Sequence, residues 1–286
     1  MKLGRRDRLP VSELEPRNKF FAALCAISDY ELAPGNAVSL FSEVDLTGIE
    51  GLRGRAAAAG APEPSYTAFV VKAMACALGE FPYANRRVTR RLIGRPRVQR
   101  FHRIDAVVLT ERKLPDSPMV TSMNLLRDAD RLSVEAITRE LAVLAASDVT
   151  TNRQWRLLTR IITWLPMWLT RVVLRMPALF PALWVRYRGG SFVVTWLAQS
   201  GVDIVAATWP WSLGVSFGAV RERPRIRGAE FVACPTFTLT LNFDRRLMAG
   251  APAARFFARV LELLEQPAEE LARAEPTGTA LNGTTG

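Results

Sequence analysis

The residues FDRRLMAG, positions 243–250, combine types and spacing that suggest chemistry. They lie between an apolar, strand-like run and a helix-like run, a junction where functional side chains are often placed. Asp244 supplies a carboxylate, and Arg245 and Arg246 supply two guanidinium groups. A guanidinium stays protonated in proteins and cannot accept a proton. The stretch therefore predicts binding or electrostatic stabilisation of an anion, with no general base among its arginines.

Few other side chains are candidates for acid–base or metal chemistry. The single histidine, His102, stands at the start of a strand-like run, and we interpret it as a structural or exposed residue. Tyr66 and Glu43 are alternative acid–base groups whose suitability depends on geometry. One histidine cannot complete the usual Cys/His zinc sites, so we predict no metal. The three cysteines lie in apolar runs and are predicted to be reduced core residues: Cys25, Cys76 and Cys234.

The charge of the chain invites a nucleic-acid interpretation that the rest of the sequence does not support. The net charge is +11, and lysine occurs only at positions 2, 19, 72 and 113, so that arginine supplies 34 of the 38 basic residues. These arginines are scattered and belong to no DNA- or RNA-binding motif. We expect no nucleic-acid partner. The charged N-terminus has no apolar run behind it, which indicates a cytoplasmic protein without a signal peptide.

The elements that must position these side chains mix strands and helices without regular alternation. This pattern is typical of an α+β fold with a large mixed β-sheet flanked by helices. The strand-like runs are 37–47, 103–111, 118–126, 189–197, 211–220 and 236–244, and the helix-like runs are 49–60, 65–82, 133–147 and 251–267. Ser133 is predicted to cap the third helix.

Residues 153–188 form a basic, apolar segment of a different character. A helical wheel places one apolar stripe from Leu158 to Val172, including Trp168, opposite the arginines. Arginines interrupt the segment too often for a membrane span. It is also broken by three prolines, Pro166, Pro177 and Pro181. Three interpretations stay open: packing on the body of the protein, a lid or wall of an acyl channel, and peripheral contact with an anionic membrane.

Six segments occur in the same order as in one known family. The segment LTLNFDRRLMAGAPAARFFARVLELLEQP and its five companions resemble the catalytic domain of the 2-oxoacid dehydrogenase acyltransferases, the dihydrolipoamide acyltransferases. The six similar segments are 39–53, 68–85, 125–145, 189–203, 218–226 and 239–267. The resemblance implies a chloramphenicol acetyltransferase-like two-layer sandwich over residues 37–270, with 153–188 as an insertion. It leaves 1–36 as an N-terminal arm and 271–286 as a disordered tail.

The resemblance also exposes two departures from the family's motif. In the family a histidine base follows the aspartate, and that position is Arg245 here. The aspartate before Gly250 is replaced by Ala249. The family's oxyanion-stabilising serine corresponds to Thr195, so a hydroxyl is retained. Asp244 is retained as well, which suggests a preserved local scaffold.

These correspondences give the candidate site residues. We assign Arg245, Thr195 and Asp244 to catalysis, and Arg246, Trp196 and Asn242 to substrate binding. By resemblance, no cofactor is bound, and an acyl thioester of coenzyme A or of an acyl carrier protein is the co-substrate.

The resemblance implies a divergent, free-standing acyltransferase of specialised metabolism that lacks the family's lipoyl domain. It implies a homotrimer with active sites at subunit boundaries and a small-molecule acceptor. One alternative is an enzyme repurposed for cyclisation or elimination of an anionic or enolic intermediate. The other is an inactive relative that binds an acyl chain, or a membrane through 153–188.

Overall fold

A seven-stranded mixed β-sheet is the centre of the molecule. The computed structural model describes residues 19, 23, 36–89, 96–112, 120–147, 153–197, 201–267 and 271. Within these residues the strands are β1 Ala37–Asp45, β2 Arg86–Thr89, β3 Arg97–Arg100, β4 Ala106–Arg112, β5 Val120–Leu126, β6 Phe192–Trp196, β7 Leu213–Phe217, β8 Arg221–Arg227 and β9 Glu230–Asp244. The helices are α1 Thr47–Ala58, α2 Tyr66–Glu80, α3 Val134–Ala146, α4 Arg153–Trp164, α5 Met167–Leu179, α6 Pro181–Tyr187 and α7 Gly250–Glu265.

The order of the strands confirms the expected α+β fold with a mixed sheet. The order is β1-β9-β7-β6-β4-β5, and β8 pairs with the outer part of β9. Strand β6 is parallel to both of its neighbours, β4 and β7, whereas the other neighbouring strands described in this sheet are antiparallel. Strands β2 and β3 form a separate antiparallel hairpin.

One face of the sheet is covered by α2, α3 and α7, and this layer contains the main hydrophobic core. Phe69, Met74 and Leu78 of α2 pack there with Phe256 of α7, all at 2% exposure or less. Helix α2 begins where the Ser65 hydroxyl accepts a hydrogen bond from the backbone N–H of Ala68 at 3.2 Å. Burying each large apolar side chain contributes about 1.5–3 kcal/mol, so this layer fixes the position of the sheet.

The opposite face of the sheet is apolar on one side and carries hydroxyl groups on the other. Over β4 and β6 it is apolar, because Val107 and Val193 pack against Trp184 of α6 and against Trp211. Over β7 and β9 it carries hydroxyls. The register places Thr195 of β6 opposite Ser216, and Ser216 opposite Thr240. Side chains alternate along a strand, so Thr195 lies on the same face as Val193.

The 153–188 segment consists of three helices packed on that second face. Breaks at Pro166 and Pro181 confirm two of the three predicted interruptions, but Pro177 lies inside α5. A proline removes one N–H donor and crowds the preceding turn. Helix α5 ends two residues after Pro177.

The predicted continuous apolar stripe of this segment is wrong. Ile162 is buried at 3% exposure, whereas Trp168 and Val172 are 68% and 53% exposed. The break at Pro166 changes the direction of the chain, so residues on either side of it do not share one helical face.

Asp45 connects β1 to the β8 strand and is expected to make stability depend on acid pH. It accepts hydrogen bonds from the Thr47 hydroxyl at 2.6 Å, from the Thr47 N–H at 2.9 Å and from Arg227 at 2.7 Å. Burial alone would raise the pKa of Asp45, but these bonds outweigh it and lower the pKa from 3.8 to about 2. The bonds therefore favour the folded state above pH 4 by about 2 kcal/mol, and this contribution is lost as the pH falls towards 2.

We expect Asp45→Asn to lower the free energy of unfolding by about 2 kcal/mol at pH 7 and to have little effect near pH 2. Urea denaturation of both proteins between pH 2 and pH 7 measures this difference. Glu230→Gln is the matched control, because Glu230 is an exposed carboxylate on the neighbouring hairpin with no ion pair in the described chain. A penalty for Asp45→Asn that stays constant across this range would contradict the assignment.

Candidate active site

The turn after β9 is fixed by an ion pair between Asp244 and Arg246. The Arg246 Nε donates to Asp244 Oδ1 at 2.9 Å, and Nη2 donates to Oδ2 at 2.6 Å. The Arg246 backbone N–H also donates to Oδ1 at 2.9 Å. The hydrogen bonds that the Arg246 guanidinium donates to Asp244 raise the pKa of this guanidinium. Both carboxylate oxygens are occupied, so Asp244 serves the shape of the turn and is poorly placed to accept a substrate proton.

Arg245 stands between the two ion-paired residues with an exposed side chain. Its backbone N–H donates to the carbonyl oxygen of Asn36 at 2.9 Å. Within the described chain its guanidinium makes no hydrogen bond or ion pair. Ala249, at the start of α7, provides no side-chain cap for that helix. The turn therefore presents a cation that is available to an anionic partner.

Thr195 and Trp196 lie at the end of β6. Thr195 is half-buried and pairs with Ser216 of β7. The Trp196 ring is 41% exposed and stacks on Phe217, with the ring centroids 6.3 Å apart and an interplanar angle of 19°. This end of the strand presents one hydroxyl and one aromatic surface.

The two main catalytic candidates are far apart within one chain. Thr195 shares a row of the sheet with Thr240, two strands away, and Arg245 lies five residues after Thr240, just beyond the end of β9. At about 4.8 Å between strands and 3.3 Å along them, Thr195 and Arg245 are separated by about 19 Å. The geometry does not bring these two candidates together in one protomer.

Asn242, a predicted substrate-binding residue, lines a small cavity. It is 4% exposed, its side-chain oxygen accepts from the Ser39 hydroxyl at 2.6 Å, and its Nδ2 has no partner among the described residues. It lines a cavity of about 140 Å³, which we call the Trp–Arg cavity. Its other polar and aromatic lining residues include Arg87, Trp184, Trp209, Trp211, Asp244 and Arg246.

Sequence reasoning missed Arg87 as a member of this cavity. Arg87 is 5% exposed, its guanidinium lies 3.5 Å from the centroid of the Trp184 ring, and Nη2 donates to the Ala178 carbonyl at 3.1 Å. Such a buried cation on an aromatic face is a strong contact. Nothing in the local sequence distinguishes Arg87 from the arginines around it.

A larger apolar cavity lies within the 153–188 segment, and we call it the helical cavity. Its volume is about 330 Å³. It is lined by Met123, Trp155, Leu157, Leu158, Ile161, Val173, Leu174, Met176, Pro177, Leu183, Tyr187 and Arg188. Arg188 is the charged residue of this lining and is 6% exposed.

None of the described helices has the length and hydropathy needed to span a bilayer.

The remaining candidate acid–base residues are either engaged in other contacts or exposed to solvent. Tyr66 donates to Glu50, and burial together with this bond raises the pKa of Tyr66 to about 12, so the phenol keeps its proton. Glu43 forms an ion pair with Arg223. His102 is exposed, as one of its interpretations expected.

Two of the three cysteines lie in the described part of the chain. Cys234 is buried at 2% exposure and Cys76 is half-buried, whereas Cys25 lies outside the described residues. In the described ranges, no three His, Cys, Asp or Glu side chains are grouped to hold a metal ion.

Comparison with known proteins finds similar proteins for most of the chain. The family model for the 2-oxoacid dehydrogenases acyltransferase catalytic domain matches residues 185–272. The acetyltransferase components of the pyruvate dehydrogenase complexes of Acholeplasma laidlawii and Bacillus subtilis are each 26% identical, over 205 and 238 residues. These alignments cover 71% and 80% of this chain but 31% and 45% of the relatives, so the chain spans less than half of their length.

Solved structures of that group share the fold. The dihydrolipoamide acetyltransferase of Azotobacter vinelandii aligns with a TM-score of 0.67 and 18% identity, covering 95% of this chain and 98% of that one. A probable dihydrolipoamide acetyltransferase from Listeria monocytogenes aligns with a TM-score of 0.61 and 20% identity, covering 93% and 98%. The fold expected from the resemblance is therefore confirmed.

Proposed function

Because residues 185–272 match the catalytic domain of the 2-oxoacid dehydrogenases acyltransferase family, we propose that the chain transfers an acyl group from a thioester without a histidine base. The donor is a thioester of coenzyme A or of an acyl carrier protein, and the acceptor is a small anionic molecule. The observation that carries the proposal is the turn at Arg245. The Asp244–Arg246 ion pair holds this turn, while an exposed guanidinium occupies the position of the family's base.

The chemistry follows from what these side chains can do. Thr195 donates a hydrogen bond to the thioester oxygen as negative charge develops there. Arg245 binds the acceptor, which is already ionised at neutral pH as a carboxylate or an enolate. The anion attacks the carbonyl carbon, the tetrahedral adduct collapses, and the carbon–sulfur bond breaks to release a thiolate. No proton has to be removed from the acceptor during the transfer, so the missing base is not needed.

The distance between the two side chains requires an assembly. A separation of about 19 Å is too long for both to contact one reacting group. We propose a homotrimer in which Thr195 of one protomer faces Arg245 of its neighbour. Relatives of this chain include the cubic core of a pyruvate dehydrogenase multienzyme complex, which is a multimeric assembly. The departures from the motif favour a role in specialised metabolism, outside such complexes.

Mixing two inactive variants tests this proposal. Thr195→Ala and Arg245→Ala protomers are each expected to be inactive in thioester cleavage with a carboxylate acceptor. When they are unfolded together and refolded at equal amounts, roughly one site in four combines an intact Thr195 with an intact Arg245, because a ring joins unlike faces. We therefore expect about a quarter of the wild-type activity, measured as release of free thiol.

As the control, each variant is unfolded and refolded alone, and we expect neither to regain thiol-releasing activity. Mixed protein that stays inactive while forming a trimer would contradict a shared site. A chain that binds carboxylates through Arg245 but cleaves no acyl thioester would instead favour the repurposed enzyme for cyclisation or elimination. A chain with neither property would favour the inactive relative.

A further inference from the structure

The helical cavity has the properties of a binding site for a linear apolar group. Its lining is aliphatic or aromatic except for Arg188 and the Tyr187 hydroxyl. It is built by α4, α5 and α6, which lie in the segment that the family resemblance treats as an insertion. An apolar cavity of this kind excludes water and gains stability when an apolar ligand fills it.

The volume of the cavity sets the size of the ligand. A cavity of about 150 Å³ holds one benzene molecule, which has six carbons. By proportion, 330 Å³ accommodates roughly twelve to thirteen carbons. A two-carbon acetyl group would leave most of this space unfilled.

The cavity lies on the same face of the sheet as Thr195. Met123 of β5 lines the cavity and pairs with Leu109 of β4. Val108 pairs with Val194 of β6, so Leu109 and Thr195 are the next positions in the same parallel register. Leu109 and Met123 pack with Val193 on one face. Thr195 shares that face because it follows Val193 by two residues.

Across two strand spacings of about 4.8 Å each, Thr195 and Met123 lie about 10 Å apart. Arg188 lies at the same end of the cavity, with Nη1 3.9 Å from the Met123 sulfur. The cavity therefore has a polar end on the sheet, towards Thr195. Leu157 and Met176 are 42% and 37% exposed, which places solvent at another part of its wall.

We infer that the helical cavity holds the distal part of the aliphatic chain of the acyl donor, a linear acyl group of at least about ten carbons. The thioester carbon lies at Thr195, and the chain crosses Leu109 and Met123 into the space between the helices. This inference rests on the proposed function for its catalytic consequence, but the binding of the chain can be measured without it.

The test narrows the cavity and measures binding and turnover separately. Val173→Phe places a larger side chain in the lining, and Leu158→Phe is a second variant at a different position of the wall. Val172→Phe is the matched control, because it is the same substitution one residue away. Val172 is 53% exposed and does not line the cavity. Circular dichroism establishes that each variant is folded.

Binding is measured by calorimetry with dodecanoate, and turnover by thiol release from a series of acyl-CoAs between two and sixteen carbons. We expect at least one narrowing variant to weaken dodecanoate binding about tenfold and to shift the preferred chain to a shorter length. The control is expected to bind like the wild type. Equal dodecanoate binding in the wild type and both folded narrowing variants would overturn the inference.

The two proposals fail in different ways. Dodecanoate binding that is lost on narrowing, without any thioester turnover, supports the cavity inference and contradicts the proposed function. Thioester turnover that is independent of chain length and unchanged by narrowing supports the proposed function and overturns the inference. Binding of the wild type to anionic vesicles, with no binding of monomeric dodecanoate, would also overturn it.

Discussion

Thr195→Ala is expected to lower kcat for thioester cleavage by about 10²–10³-fold, the loss typical for one donor to an oxyanion. The hydroxyl acts on charge that appears only as the acceptor attacks, so the loss falls mainly on kcat, with KM for the acyl donor nearly unchanged. Steady-state thiol release over a range of donor concentrations separates the two constants.

Two further variants make this result specific. Thr195→Ser keeps a hydroxyl and is expected to retain most of the activity. Thr240→Val removes a hydroxyl from the same row of the sheet, and the Thr240 Oγ1 is buried with no partner in the described chain. Valine matches the shape of threonine, so this change should leave both folding and kcat nearly unchanged. A loss in Thr195→Ala that appears as a raised KM would assign Thr195 to donor binding.

Gly218→Ala is expected to destabilise the fold by about 3 kcal/mol or more, since a β-carbon there overlaps backbone that cannot move alone. An added Cβ would lie 2.1 Å from the carbonyl oxygen of Asp203 and 2.7 Å from its α-carbon. Two backbone hydrogen bonds hold this segment in place. The Gly218 N–H donates to the Thr238 carbonyl oxygen at 3.2 Å, and the Ala219 N–H donates to the Val202 carbonyl oxygen at 2.9 Å. Chemical denaturation measures the loss.

The matched glycine control is Gly79→Ala. Gly79 lies within α2, and an added Cβ meets nothing within 4 Å. Alanine there is expected to stabilise the protein by roughly 0.5–1 kcal/mol, because it reduces the freedom of the unfolded chain and favours the helix. If Gly218→Ala were as stable as the wild type, the loop that contains Asp203 would have to be displaced from β7.

The elements with strong local signals could be predicted from the sequence. Helix α3 begins where expected, and the Ser133 hydroxyl accepts from the Ala136 N–H at 3.2 Å. Strand β1 and the end of β9 follow runs of alternating or continuous apolar residues. The turn after β9 also forms with Asp244 and Arg246 paired, in agreement with the preserved local scaffold that the resemblance implied.

Other parts depend on contacts that the local sequence does not contain. Strands β2 and β8 are rich in arginine and have no apolar alternation, and their pairing with β3 and β9 decides their structure. Helix propensity and a wheel could not show that Pro166 turns Trp168 into solvent. The partners of Arg87 come from α5 and α6, about 90 residues further along the chain, so only the tertiary fold reveals its cavity.

The ion pair that flanks Arg245 has a consequence for how this fold acquires new chemistry. Asp244 and Arg246 hold each other, and residue 245 takes part in the turn only through its backbone N–H to Asn36. The shape of the turn is therefore independent of the side chain at 245. The side chain at position 245 can be exchanged without rebuilding the turn.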